Sequence, residues 1–341
     1  MPNKLHARLS DRSTEQMLTV GLTILVIAAF FGSLSVGAEP LELLTAARSI
    51  WYGETDIAGL ILQEIRLPRA LLGLSVGAVL GLSGAALQGL LRNPLAEPGI
   101  IGVSGSAALG AVIVFYSGLS SAFSLALPLG GITGAILAVL FLFVLAGRES
   151  SILTLILAGV AISSLSTALT SLALNLSPSP YAAMEIFFWM MGSLADRSMH
   201  HVLLALPLMI TGCALILSCR SALDALSLGE ETAQTLGVDV RGTTLKLIVG
   251  VALAVGSAVS VTGGIGFIGL VIPHIMRPLV GHQSGRLLVV SSLGGAALLL
   301  AADITVRLLP TNQELKLGIV TALIGAPFFF FLVLKTRRDK V

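Results

Sequence analysis

The sequence predicts an all-α integral membrane protein of about ten transmembrane helices, with both termini in the cytoplasm. Three observations carry that expectation. Of 341 residues, 55% are hydrophobic and only 11% are charged, whereas a soluble domain carries roughly 25% charge. The apolar runs are long and unbroken rather than alternating, which fits helices that cross about 30 Å of hydrocarbon and not a β-barrel. The basic residues are also unevenly shared between alternate connections. This composition excludes a disordered chain, a collagen-like fibre and a nucleic-acid-binding domain. A net charge of +2 is too small to imply a polyanionic partner.

Read in order, the apolar runs fall at about 17–37, 70–91, 99–117, 128–146, 152–176, 201–219, 246–262, 265–281, 287–303 and 317–334. The first follows Lys4, Arg8 and Arg12 and resembles a signal peptide. Its apolar stretch is longer than the usual 7–15 residues of such a segment, so a retained span is expected. The second carries Gly73, Gly77 and Gly81 at every fourth position, followed by Ser83 to Ala86. Small residues at that spacing let helix backbones approach closely, so this helix should be central in the bundle. The eighth run is interrupted by Pro273, His274 and Arg277. Gly77, Gly84 and Pro94 recur as Gly256, Gly263 and Pro273 at one constant offset, a weak echo of an inverted repeat.

With the amino terminus inside, fourteen Lys and Arg fall on inside segments and six outside. The chain reads as a single transmembrane domain, 1–341, with a cytoplasmic N-terminal segment 1–16, a cytoplasmic connection 220–246 and a tail 335–341.

Chemistry-bearing motifs are sparse. No span has an Asp, Glu, Lys or Arg near its centre, where a proton- or sodium-coupled carrier would place one. No phosphate loop occurs that would let the chain use ATP itself. Gly264, Gly266 and Gly269 match a dinucleotide fingerprint but sit in a membrane run without strand–helix context, so they read as a break between spans. His200, His201 and His282 lack metal-ligand spacing, and Cys213 and Cys219 read as packing residues. No cofactor, metal or catalytic residue is expected.

Two segments are placed to meet partners. In 220–246, Ser227 can cap a short surface helix, Glu230 and Glu231 favour its positive end, and Gly237 can stop it. The plainer alternative is a solvated connector. On the other side Arg66, Arg69 and Arg307 run against the inward bias. An exposed guanidinium there suits bidentate pairing with carboxylates of a soluble partner, with lipid-headgroup anchoring as the alternative.

Ordered motifs along the chain then match a family. They include Ile65-Arg66-Leu67-Pro68-Arg69, Gly84-Ala85-Ala86-Leu87-Gln88-Gly89, Arg92-Asn93-Pro94-Leu95-Ala96-Glu97-Pro98-Gly99, and Leu157-Ala158-Gly159-Val160. Further along come Trp189-Met190-Met191-Gly192-Ser193-Leu194, Leu228-Gly229-Glu230 through Leu236-Gly237, Gly266-Phe267-Ile268-Gly269 through Pro273-His274, Ala302-Asp303, and Gly325-Ala326-Pro327-Phe328. Over nearly its whole length the chain resembles the permease subunits of bacterial type II ABC importers for iron–siderophore, haem and vitamin B12. The resemblance implies the ten-helix fold of those permeases, in the bacterial inner membrane, as a dimer with a second permease copy or homologue. It implies two cytoplasmic ATPase subunits coupled through Gly229, Glu230, Ala233, Leu236 and Gly237. It also implies a periplasmic or lipid-tethered binding protein docking on Arg66, Arg69 and Arg307, and an inner gate in Arg148–Thr154, at Ser150, Ser151 and Ile152. Departures from the family pattern are Lys316, where Pro usually stands, and Gly264 before the Ile-Gly-Phe motif. The implied function is ATP-driven import of a metal chelate, a ferric siderophore first, haem or vitamin B12 otherwise. An ion-coupled carrier is the rival from another class.

Overall fold

Residues 2–37, 42–52, 56–119, 123, 125–147, 152–177, 179–310 and 313–338 are described by the computed structural model of the chain. Among them the regular structure is helical. In chain order the helices are α1 (Pro2–Ser35), α2 (Leu43–Tyr52), α3 (Ile57–Leu90), α4 (Val103–Tyr116), α5 (Ala126–Ala146), α6 (Ile152–Asn175) and α7 (Pro180–Met190). They continue as α8 (Met199–Ser218), α9 (Arg220–Leu226), α10 (Glu230–Thr235), α11 (Val240–Thr262), α12 (Ile268–Met276), α13 (Ser284–Leu308) and α14 (Leu317–Arg338). Among the described residues, seven helical segments are long and apolar enough to cross a membrane, and three shorter apolar ones lie at 103–116, 268–280 and 317–330. These ten correspond one to one with the runs read from the sequence.

The small-residue stripe makes α3 the centre of the bundle. A β-carbon on Gly77 would meet the Gly295 carbonyl oxygen at 2.4 Å, and one on Gly81 would meet that of Ser291 at 2.0 Å. A third, on Gly84, would meet the Gly269 oxygen at 1.9 Å. Helix α3 therefore lies backbone to backbone on α13 and α12, a closeness that no larger side chain permits. Around this pair, α1 packs on α13, α4 on α5, α8 on α11 and α6 on α4. The main core runs from Leu72 to Leu90 of α3 through Leu247–Val261 of α11 to Leu287–Leu299 of α13.

Several local features differ from the sequence reading. Helix α3 begins well before residue 70, because a π turn at Ile61–Arg66 carries it back to Ile57. Pro68 supplies the reason: it has no N–H to give the ladder, and the widened turn relieves its ring. Helix α4 is shorter than the run 99–117, since a 3₁₀ turn occupies Pro98–Ile101. Three helices were not anticipated, among them the short α9, which opens the connection 220–246. The others are α2 and α7, the latter capped by Ser179, which accepts from the Tyr181 N–H at 3.2 Å. The expected glycine break is present at 263–267 between α11 and α12. There it is tied by main-chain bonds to the end of α7, Ser193 N–H to Thr262 O at 2.8 Å and Gly264 N–H to Met190 O at 3.2 Å.

Candidate functional site

The arginines expected on one face converge where the π turn of α3 ends and where α13 ends. Arg69 donates from Nε to both Asp303 oxygens, at 2.9 and 3.2 Å, and from Nη1 to Glu314 Oε2 at 3.1 Å. Its Nη2 pairs with Asp303 Oδ1 at 2.8 Å and also contacts Glu314 Oε1. Arg307, one turn beyond Asp303, pairs with Asp303 Oδ2 at 2.8 Å. It also donates to the Ser33 and Val36 carbonyls at 2.8 and 2.6 Å and to the Ser33 hydroxyl at 2.7 Å. Arg66 donates to the carbonyls of Leu34 and Ser35 at 3.0 and 2.6 Å. The three guanidiniums thus bind the end of α1, the stretch of α3 around its π turn, the end of α13 and the lead-in to α14 into one cluster.

This corrects the exposure expected for them. Arg66 is 4% and Arg69 8% exposed, and Asp303 is fully buried. The cause is electrostatic: at the end of an apolar bundle a guanidinium without internal acceptors would lie desolvated and unsatisfied, so it takes carboxylates and free carbonyls of the same chain. The cluster nevertheless floors an open cavity of about 400 Å³ lined by Arg66, Arg69, Arg307, Glu314, Ile61 and Ile65. Gly37 belongs to its wall because a β-carbon there would fall 2.7 Å from Arg66 Nη2.

At the other end of α3 stands a second construction. About 20 residues of α3 separate Arg69 from Gly89, a rise of about 30 Å, the thickness of a bilayer's hydrocarbon core. Gly89 faces Leu223 of α9, and Asp224 of α9 accepts the Gly285 N–H of α13 at 2.7 Å. From α9 the chain turns at Gly229, whose φ of 111° suits glycine, into α10. Ser227 does not cap α10. It ends α9, its hydroxyl turned back to the Asp224 carbonyl at 2.6 Å, and Gly229 holds the cap position instead. Glu230 and Glu231 fill the first turn of α10. Gly237 stops it with φ 84°. Its N–H goes to Gln234 O at 2.9 Å and that of Val238 to Ala233 O at 3.0 Å, the paired bonds of a glycine C-cap. Ala233 is buried, while Leu228 and Leu236 are 65% and 62% exposed. The elbow is therefore pinned at its middle and presents two leucines and an acidic turn outward.

Of the expected gate residues, Ser150 and Ser151 lie outside the described residues, and Ile152 is described only as the backbone that opens α6.

With both ends in view, comparison with known proteins decides the family. A profile of the FecCD transport family matches residues 24–335. The chain belongs to the FecCD transport family. It is 41% identical over 302 residues to the cobalamin import system permease protein BtuC of Halobacterium salinarum, covering 87% of this chain and 80% of that one. To the hemin transport system permease protein HmuU of Yersinia pestis it is 36% identical over 337 residues, covering 97% and 99%. To the vitamin B12 import system permease protein BtuC of Vibrio cholerae it is 38% identical over 331 residues, covering 96% and 95%. A solved structure described as an inward-facing conformation of a transporter assigned to the metal-chelate ABC type superposes with a TM-score of 0.84 at 35% identity, covering 94% of this chain and 99% of that one.

This FecCD chain is therefore a multi-pass membrane permease with the type II ABC importer fold, a family that works with ATPase and substrate-binding partners. The resemblance drawn from the motifs named the right family. The carboxylates Asp303 and Glu314 were the part of the arginine cluster that the motifs did not reveal as partners. The one local signal was Asp303 and Arg307 at an i,i+4 spacing on one helix face.

Proposed function

We propose that this chain is the membrane-spanning subunit of an ATP-driven importer that carries a metal chelate across a bacterial inner membrane. The single observation that carries the reading is the elbow at Gly229–Gly237. Pinned through Ala233 and the Asp224–Gly285 bond, it presents Leu228, Leu236 and the Glu230–Glu231 turn to a soluble partner. Two cytoplasmic ATPase subunits grip this elbow and its copy in a second permease. Their closure on ATP tilts α9 and α10 against the ends of α3 and α13. Both termini of the permease then lie in the cytoplasm, as the bias of basic residues supports. A periplasmic or lipid-tethered binding protein docks at the opposite end, its carboxylates entering the cavity above Arg66, Arg69 and Arg307. The names of the relatives favour cobalamin or haem, and a ferric siderophore is the further member of the same cargo class.

Two variants test these contacts in the assembled transporter. Glu230→Lys should abolish transport and uncouple ATP hydrolysis while the permease still inserts. Arg66→Glu with Arg69→Glu should abolish stimulation of ATPase activity by the binding protein. Since those arginines are buried, Ile65→Glu, on the 59% exposed rim of the cavity, serves as the variant that keeps all three arginines and should also lose stimulation. Undiminished stimulation in Ile65→Glu would contradict the docking site. Normal coupling in Glu230→Lys would contradict the elbow. An ion-coupled carrier would instead transport without the ATPase under an ion gradient.

A further inference from the structure

The cluster at Arg69 holds two carboxylates of unlike standing. Asp303 is fully buried, gripped by both Arg69 and Arg307. Glu314 is bound through Arg69, and its side chain is 33% exposed toward the cavity. If Asp303 left, it would strand two desolvated cations. If Glu314 left, it would turn into water and strand none, provided another carboxylate took its place on the same guanidinium edge. Glu314 also stands three residues before α14, in the lead-in that joins α13 to the last helix.

We infer that Glu314 is a resident carboxylate that occupies Arg69 in the free permease and is displaced by a carboxylate of the docked binding protein. This rests on the docking reading above and adds what docking does. The exchange conserves the bidentate pairing of Arg69, so the buried charge never goes unmet. What changes is the tether: the lead-in loses its side-chain tie to α3. The first residues of α14 keep their main-chain ties to the segment just after α7, Leu317 N–H to Gly192 O at 2.9 Å and Gly318 N–H to Met191 O at 3.1 Å. Helix α14 is then free to pivot about that clasp rather than to detach. Beyond the clasp it lines an open apolar face with Met191, Gly264, Ala322 and Ala326, so the pivot moves one wall of that face. A docked carboxylate and the last helix are thereby coupled through one arginine.

The test uses the permease assembled with its ATPase in nanodiscs and the binding protein encoded with the transporter. Glu314→Gln removes the competitor and should tighten binding by about three- to tenfold, a change well within what one charged contact supplies. Glu314→Asp, which keeps a carboxylate, should lie between it and the parent, and carries the comparison if the Gln variant is unstable. A cysteine at Leu315, with Cys213 and Cys219 replaced by Ala, reads the tether directly. Its maleimide labelling should accelerate when the binding protein is added, and should already be fast in Glu314→Gln. Unchanged or weaker binding in both Glu314 variants, with Ile65→Glu still abolishing it, overturns the exchange and leaves docking in place. Unchanged binding in Ile65→Glu overturns docking and the exchange with it.

Discussion

At Asp303 one carboxylate answers two guanidiniums where water does not reach. Removing such a partner is far costlier than the pair's net worth, because it leaves uncompensated charge in a low-dielectric site; losses of about 3–5 kcal/mol are usual. Asp303→Asn should therefore lower the thermal midpoint of the detergent-solubilised permease sharply, whereas Glu314→Gln, with water at hand, should lower it little. Melting curves of the two side by side check the contrast. Glu97, in the turn before the 3₁₀ segment, behaves differently. Burial pushes its carboxyl above the ordinary carboxylate range. The folded state then binds the proton more tightly than the unfolded chain does. Stability is lost as pH rises from the unfolded value through the folded one. Glu97→Gln should raise the thermal midpoint at pH 7.5, with the gain shrinking as pH falls toward 5.

Among the elements, α3 and α13 set the tolerance of the whole bundle. Gly81→Leu would force two backbones apart and should cost about 1–3 kcal/mol or more. Gly21 of α1 has nothing within 4 Å of a β-carbon, and Gly21→Ala should gain about 0.5–1 kcal/mol from helix propensity alone. Resistance to heat-induced aggregation of the two variants measures the difference. The contact behind the first prediction was legible in the sequence, since Gly73, Gly77 and Gly81 announce a helix that another backbone touches. So were the ten apolar runs and the glycine break, because hydrocarbon imposes length and polarity on each segment separately. The pairings across segments were not. Arg69 and Asp303 lie 234 residues apart, and nothing local to either states which buried charge the other meets. Exposed guanidiniums were expected because basic residues at a span end usually reach water, and here carboxylates of the same chain compete successfully. Ser227 misled for a similar reason: a hydroxyl three residues ahead of an acidic pair suits a cap, yet the glycine between them takes the conformation the turn requires.

In the whole molecule, the ionic cluster lies at Arg69 of α3 and the end of α13, and α9, which leads into the elbow, meets the opposite ends of both helices, about one hydrocarbon thickness away. Helix α9 packs on α3, on α13 and on α10, so on the function proposed above motion imposed on α10 reaches, through α9, the helices that carry Arg69 and Asp303. Labelling from either side of sealed vesicles should find a cysteine at Leu236 and one at Ile65 on opposite faces, the former inside. The central claim is that the permease has no motor and takes its power through the elbow. The most direct measurement is uptake of cyanocobalamin, haemin and a ferric hydroxamate into proteoliposomes, with the binding protein outside and the ATPase present or absent. Accumulation of one of these chelates against its gradient only with the ATPase and internal ATP, abolished by Glu230→Lys, is the predicted result. Uphill uptake by the permease alone under a proton or sodium gradient would contradict the account.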